Sequence, residues 1–413
     1  MKFVFFSLRN FERDGGGSIR MYGMLNALAD KGNEVILVSN AKEKNKFRGN
    51  IKHIPVNFEV SNRSKRIMQG LASFLPPKIV LLFYRKIFKR IQQCVDEVVL
   101  NNETVYFFEY LDNTVGYLLK AKDDKYKYVN DIHGVSTIEF QYQYQTTRNL
   151  LKKVVYYFKY LSSYYLDRRV FSNAEGFLYA SNSMKNYYEN LYRGIREKKH
   201  VILPYLLGDE AGKNQVNCAL SQELFLNYKL SKKDFVVFFA GGYKPTSGVD
   251  DLVLAFSILQ QRYTNLKLIL IGEGPIKNKC VNLVRQNHIE DKVIFIKRVP
   301  YEDLATYQSL ANVIICPDKQ NPYSDLIVHL KYFDSLISGK LVISGSFNSV
   351  QEVNKDEFLS VNFIPSNVND LAKKIEQVIV DYDELTEKYK DVKKYACEKL
   401  TYTSVIHRLY KEY

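Results

Sequence analysis

Short apolar runs alternate with helical patterns along this chain, and no other feature limits its fold as tightly. KFVFF at 2–6 is followed by a polar, glycine-rich stretch, NFERDGGG at 10–17. A helical pattern comes next, with Met21, Tyr22, Leu25, Leu28 and Ala29 on one face, and Gly32 ends it before EVILVS at 34–39. Apolar residues spaced by three and four mark the helix, and unbroken apolar runs mark buried strands. Strand, helix, strand in that order makes a parallel pair, which needs helices over both faces of its sheet.

The rhythm runs twice. In the first half, TVYFFE (104–109), KYVND (127–131), GFLYAS (176–181) and HVILPY (200–205) read as strands, with a helix near 112–121. Residues 62–97 and 149–170 break the pattern with basic, aromatic stretches, and Pro76 and Pro77 predict two helices in the first of them. Residues 208–233 are polar and irregular. The alternation then restarts: strands at 234–242, 266–274, 292–299, 312–317 and 340–345, with helices at 250–261, 276–287, 301–310 and 325–338. Two doubly wound α/β domains fit this better than one barrel, because the linker interrupts the repeat. The boundaries read from it are 1–205 and 206–395, with a final helix at about 396–413 returning to the first domain.

Composition narrows the partners. The chain has 413 residues, enough for two cores, and a formal net charge of +14. Such a balance favours phosphorylated ligands, acidic membrane or nucleic acid. No zinc-finger spacing or RNA-binding signature accompanies it, so nucleic acid is set aside. Five cysteines without a CxxC pair argue against a disulfide framework or zinc site and fit a reducing cytoplasm. The six histidines do not cluster at metal-ligand spacing, and Asp381 and Asp383 lie in a Lys/Glu-rich tail, so no metal site is expected. The apolar run at the start is too short for a signal peptide, and IVLLFY at 79–84 is far short of a membrane span.

The ordered set DGGGSIRMYGMLNALADKGNEVILVS, FFAGGYKPTSGVDDLVLAF, LILIGEGP, VIFIKRVPYEDL, NVIICP and LKYFDSLISGKLVISGSFNSVQEV resembles retaining glycosyltransferases of the GT-B fold, family 4. The resemblance is strongest from about 234 to 353. It implies two Rossmann-like domains facing a central cleft, an acceptor side in the first and a nucleotide-sugar donor side in the second. Departures stand beside it. Gly242 replaces a phosphate-binding Arg, Ser247 replaces a Lys, and Leu326 occupies the place of an acid eight residues before Asp334.

A diphosphate leaving group must depart carrying negative charge. Cations and helix N-termini after glycine turns are the groups that stabilise it. Lys244, between Gly241, Gly242 and Gly248, and Lys331 are the candidate diphosphate ligands. Asp334 shares a helix face with Lys331 and, by the resemblance, takes the ribose hydroxyls. Tyr323, Ser324, Asp325, Leu326 and Ile327 are expected to turn backbone N–H groups toward the transferred sugar. Gly16, Gly17, Gly272, Glu273 and Arg298 complete the donor set. His133 follows a strand end, where open α/β sheets bind ligands, and by the resemblance lies near the transferred sugar. Glu109 and Asp14 are acceptor-side candidates. No resident cofactor is expected; the UDP- or GDP-linked sugar is a substrate. In the family's usual proposal the leaving phosphate itself takes the acceptor proton.

The basic aromatic helices suit an anionic interface. They point to a peripheral enzyme on the cytoplasmic face of the inner membrane, acting on a lipid-linked or cell-envelope glycan in bacterial polysaccharide synthesis. Packing of those helices on their own sheet is the opposing reading. A catalytically silent binding or chaperone subunit and a sugar-nucleotide epimerase are the alternative functions.

Overall fold

The computed structural model describes residues 1–8, 16–40, 47–57, 61–98, 105–208 and 216–413. The chain divides into two compact units. Met1–Gly208 and Tyr402–Tyr413 form the first, and Asp209–Thr401 forms the second.

In the first unit seven strands build one parallel sheet: β1 Lys2–Ser7, β2 Glu34–Ser39, β3 Ile51–Pro55, β4 Val105–Glu109, β5 Lys127–Ile132, β6 Gly176–Tyr179 and β7 Lys199–Ile202. Their spatial order is β3-β2-β1-β4-β5-β6-β7. The central strands are unbroken apolar runs because helices cover both faces. β1 is buried from Phe3 to Ser7 and carries Phe3, Phe5 and Phe6, whose rings pack on Phe107 and Phe108 of β4. The helices are α1 Gly16–Asp30, α2 Asn62–Phe74, α3 Pro77–Phe83, α4 Arg85–Asp96, α5 Asn113–Lys122, α6 Ser136–Thr146, α7 Leu150–Asn173 and α8 Asn182–Leu191.

The second unit holds a six-stranded parallel sheet. Its strands are β8 Phe235–Ala240, β9 Leu266–Ile271, β10 Val293–Ile296, β11 Val313–Cys316, β12 Leu341–Gly345 and β13 Val361–Phe363, in the order β10-β9-β8-β11-β12-β13. Around it lie α9 Cys218–Asn227, α10 Val249–Gln260, α11 Lys277–Gln286, α12 Leu304–Ser309, α13 Leu330–Leu336, α14 Asn348–Val353 and α15 Val368–Val380.

Several elements differ from the sequence reading. Residues 62–97 hold three helices rather than two, because Tyr84 separates α3 from α4 as well as the prolines separating α2 from α3. The edge strands β3 and β13 have no strong apolar run to announce them. The helix expected over 325–338 is one short helix, α13, because the Tyr323 carbonyl takes the Leu326 N–H in a turn and His329 is extended, so helical geometry starts only at Leu330. Gly16 and Gly17 are the first turn of α1 and not a loop.

The C-terminal segment 402–413 packs on the first unit through specific contacts. A Cβ on Gly23 would fall 2.0 Å from the Tyr402 ring, so only glycine lets that ring lie against α1. Asn33 donates to the Tyr410 hydroxyl at 2.8 Å. Residues 396–401, read as part of this returning helix, belong to the second unit.

Candidate functional site

In each sheet the strand order reverses beside the unit's first strand, between β1 and β4 and between β8 and β11. Loops at the carboxyl ends of strands flanking such a reversal form the usual ligand crevice of open α/β sheets. Both places carry charge.

At the first reversal the charges satisfy one another. Arg20, on α1, is fully buried. It donates to both Asp131 carboxylate oxygens through Nε at 3.0 Å and to Oδ1 through a terminal nitrogen at 2.7 Å. Its other terminal nitrogen donates to the Leu203 and Pro204 carbonyls. Burial alone would pull the guanidinium toward losing its proton. The Asp131 charge outweighs this and raises its pKa. His133 lies between two carboxylates: Nε2 is 3.0 Å from Glu109 and Nδ1 is 3.4 Å from Asp131. Tyr205 covers it, ring edge to face, and donates its hydroxyl to the His133 carbonyl at 3.3 Å. Asp112 accepts from the Leu8 N–H at 2.7 Å, which fixes the end of β1.

Two site assignments change here. His133 and Glu109 are buried and engaged with each other, and Glu109 also accepts from the Leu111 N–H. A sugar reaches either residue only by replacing one of these partners. Arg20 was passed over in the sequence because it sits inside the apolar face of α1. The signal that could have found it is a lone cation flanked by Ile19 and Met21, with Asp131 as the acid at a neighbouring strand end. Asp14 lies outside the described residues.

At the second reversal three strand-end turns converge, and glycines let the backbones meet. A Cβ on Gly272, at φ +136°, would fall 1.9 Å from the Gly241 carbonyl oxygen. A Cβ on Gly248 would fall 1.7 Å from that of Pro317. Lys331, in the first turn of α13, places Nζ 2.7 Å from Asp318 Oδ1 and over the Phe239 ring. His329 Nε2 lies 3.9 Å from the same carboxylate. Desolvation lowers the His329 pKa; Asp318 opposes that, and the charges of Lys331 and Lys244 reinforce it. Lys244 is exposed on the glycine turn. One lysine and one histidine thus face the Asp318 carboxylate, and the Lys244 charge acts on the histidine.

The other expected donor residues scatter. Lys331 and Asp334 do not point the same way: Asp334 accepts from the Tyr301 hydroxyl at 2.7 Å. Burial pushes its carboxyl up to about 6, against that hydrogen bond. It lines a cavity of about 180 Å³ with Tyr301, Leu304, Gln308 and Lys340. The N–H groups of Tyr323, Ser324 and Leu326 are already bonded within their own turn, so they are not offered to a ligand. Leu326 is buried, an environment suited to leucine and hostile to the acid it replaces. Asp325 instead holds α14, accepting from the Asn348 N–H, while its carbonyl accepts from Ser349; Ile327 is half-buried. Glu273 pairs with Lys277 at 2.6 Å, Arg298 is exposed after β10, and a Cβ on Gly242 would meet the Lys244 side chain at 3.9 Å. The N-terminus of α10 carries Asp250 and Asp251, tied to Lys319, and Asp250 also to Lys279. Among the described residues no cluster suits a metal ion.

Residues 221–399 match the family described as Glycosyl transferases group 1. An uncharacterised glycosyltransferase of Bacillus subtilis, YqgM, is 23% identical over 157 residues, which are 38% of this chain and 39% of that protein. The chain thus spans about two fifths of the length of the curated relatives it matches. Sucrose-phosphate synthase from Thermosynechococcus elongatus superposes with a TM-score of 0.70 at 16% identity, covering 99% of this chain and 97% of that one. HepE of Anabaena, solved with UDP and glucose, gives 0.67 at 12% identity, covering 100% and 98%. At such identities the likeness establishes the fold, a two-domain α/β GT-B arrangement.

Proposed function

From the premise that the chain carries a group 1 glycosyltransferase domain over residues 221–399, we propose that it moves a hexosyl or N-acetylhexosaminyl group from a UDP- or GDP-linked donor to a cell-envelope glycan or lipid-linked acceptor. The observation that carries this reading is the pair of lysines, Lys244 and Lys331, at the second strand-order reversal, with His329 beside them. It supplies what a departing diphosphate needs, and HepE, of the same fold, binds UDP. Lys244 and Lys331 hold the diphosphate. Lys331 does so by exchanging Asp318 for phosphate. Asp334 takes the ribose in its small cavity by exchanging the Tyr301 hydroxyl for a sugar hydroxyl.

Transfer proceeds with retention. The bond from the anomeric carbon to the diphosphate breaks, the acceptor oxygen bonds the same face, and its proton passes to the leaving phosphate. No metal is required, since the lysines carry the charge. The buried Arg20–Asp131–His133–Glu109 set acts at a remove, by holding the carboxyl ends of β4 and β5 rigid.

The acceptor side faces an anionic membrane. Leu82 and Phe83 of α3 and Leu150, Leu151 and Phe158 of α7 are more than half exposed beside Lys78, Lys86, Lys152 and Lys153. Exposed apolar groups interleaved with lysines suit an interface. No helix among the described residues is long and apolar enough to cross a membrane.

A thermal-shift screen against UDP- and GDP-sugars tests the donor, because a ligand that binds the folded state raises its stability. The reading expects a shift with one nucleotide class, followed by donor hydrolysis that persists in chelator. Lys331→Ala that folds normally and binds the donor as well as wild type would overturn the Lys331 assignment. Binding without hydrolysis or transfer would make the chain a silent binding subunit, and interconversion of the free donor sugar would make it an epimerase. Failure to float with anionic vesicles would remove the membrane.

A further inference from the structure

A second cavity, of about 330 Å³, lies in the first unit between α2, α6 and α7. It is at the small end of the roughly 300–1,000 Å³ of small-molecule sites, enough for one sugar residue and its substituent. Polar groups stand in its lining among apolar ones such as Leu111, Phe140 and Leu166: Arg66 and Gln69 from α2, Asn113 from α5, and Lys159, Ser163 and Asp167 from α7. Amide and hydroxyl groups facing a cavity are the chemistry that recognises a polyhydroxylated ligand.

The charge is specific too. Arg66 makes no ion pair among the described residues, and the Lys159 ammonium lies over the Phe140 and Tyr156 rings with no carboxylate beside it. The acid in the cavity lining, Asp167, is buried and accepts from Thr137 at 2.7 Å. Burial raises it to about 7, so its charge is held back relative to an exposed carboxylate. Two cations thus line the cavity, and neither forms an ion pair among the described residues. Ser73 of α2 and Ser162 of α7 share a hydrogen bond at 2.9 Å, and Arg169 ties α7 to the end of α2, so the two walls are held together.

The cavity also adjoins the strand-order reversal. The single 3-10 turn Tyr110–Asp112 follows Glu109; Tyr110 and Leu111 line the cavity, while Asp112 holds the end of β1. Exposed Ile67 and Phe158 stand next in sequence to Arg66 and Lys159.

We propose that this cavity is a binding site for a glycosyl phosphate, with Arg66 and Lys159 on the phosphate and Gln69, Asn113 and Ser163 on the sugar. It rests on the sugar-transfer reading for its role as the acceptor's seat, and on its own geometry for binding. The ligand comes either from a lipid carrier or from the free sugar phosphate.

Binding of glucose 1-phosphate, galactose 1-phosphate and N-acetylglucosamine 1-phosphate to the full chain is measured calorimetrically with the donor site saturated by UDP or GDP, and again with no nucleotide. At least one should bind saturably, and more tightly than glucose or inorganic phosphate. Arg66→Gln and Lys159→Gln should each weaken it about 10-fold, the effect of one lost charge-assisted bond. Lys331→Ala should leave it unchanged, so a failed donor site does not erase the result. Both glutamine variants alter exposed side chains, and an unchanged Tm shows that they fold. A dodecyl ester of the bound sugar phosphate that binds at least 10-fold more tightly identifies the lipid source; equal affinity identifies the free one. Binding that survives both glutamine substitutions, or no preference over glucose and phosphate, overturns the proposal.

Discussion

The two units solve one topological problem in opposite ways. Each sheet reverses its strand order beside its first strand, and each brings cations and carboxylates to that point. In the first unit the charges are sealed in and spent on one another: Arg20 on Asp131, His133 on Glu109 and Asp131. In the second they are partly exposed: Lys331 and His329 share one acid, Asp318, and Lys244 is exposed on the glycine turn nearby. A satisfied buried network resists rearrangement and fixes geometry. An unbalanced, accessible cluster keeps affinity for an incoming anion. Equivalent positions in one topology therefore hold a closed network in one unit and, on the proposed function, a ligand site in the other.

Arg20→Met is the strongest challenge to that contrast. It leaves the Asp131 charge buried without its guanidinium, which costs about 3–5 kcal/mol. Urea unfolding should show the first unit lost early, with protease-resistant fragments from the second unit persisting. If stability is unchanged, the network is not what holds the strand ends.

Asp167 comes next, as a buried carboxyl of the first unit with no cation. Its folded pKa of about 7 lies above the unfolded value, so the folded state binds more protons between those two values. Stability should therefore fall as pH rises from about 4 to about 7, by an amount on the order of 3–4 kcal/mol. Asp167→Asn should flatten that part of a Tm-against-pH curve. A slope identical to wild type would mean that Asp167 ionises freely.

In the second unit the expected effects fall on binding. Lys331→Ala should leave Tm close to wild type and weaken nucleotide-sugar affinity by about 10-fold or more, as the loss of one charge-assisted bond of about 1.5–3 kcal/mol requires. Asp318→Asn should do the reverse on a smaller scale. Releasing Lys331 from a pair worth about 0.2–1 kcal/mol should raise nucleotide affinity up to roughly fivefold in calorimetry. Weaker binding in Asp318→Asn would show the carboxylate positioning Lys331 rather than competing for it.

Much of the fold was legible because the strands are apolar runs that can be stable only when covered on both faces. The elements that escaped lacked such a signal. β3 holds Lys52, His53 and Pro55, and β13 is three residues long. The site was legible in part. Lys244 lies on the glycine turn and Lys331 at the start of α13, but the helix shared by Lys331 and Asp334 is too short for its pattern to say where either side chain finds a partner. Lys331 meets Asp318 across the end of β11, and Asp334 meets Tyr301. Tyr323, Ser324 and Leu326, read as donors, spend their N–H groups within their own turn because Asn321 and Tyr323 accept from them locally.

Local chemistry thus determined the βα rhythm, the two units and the placing of Lys244 on a glycine turn and Lys331 at a helix start, since each follows from spacing and residue type within a short window. Tertiary structure alone decided which charges are neutralised. Arg20 and Asp131 are 111 positions apart, and only closure of the first sheet brings them within 2.7 Å. Electrostatic energy depends on distance and desolvation, and neither is set until the chain has packed.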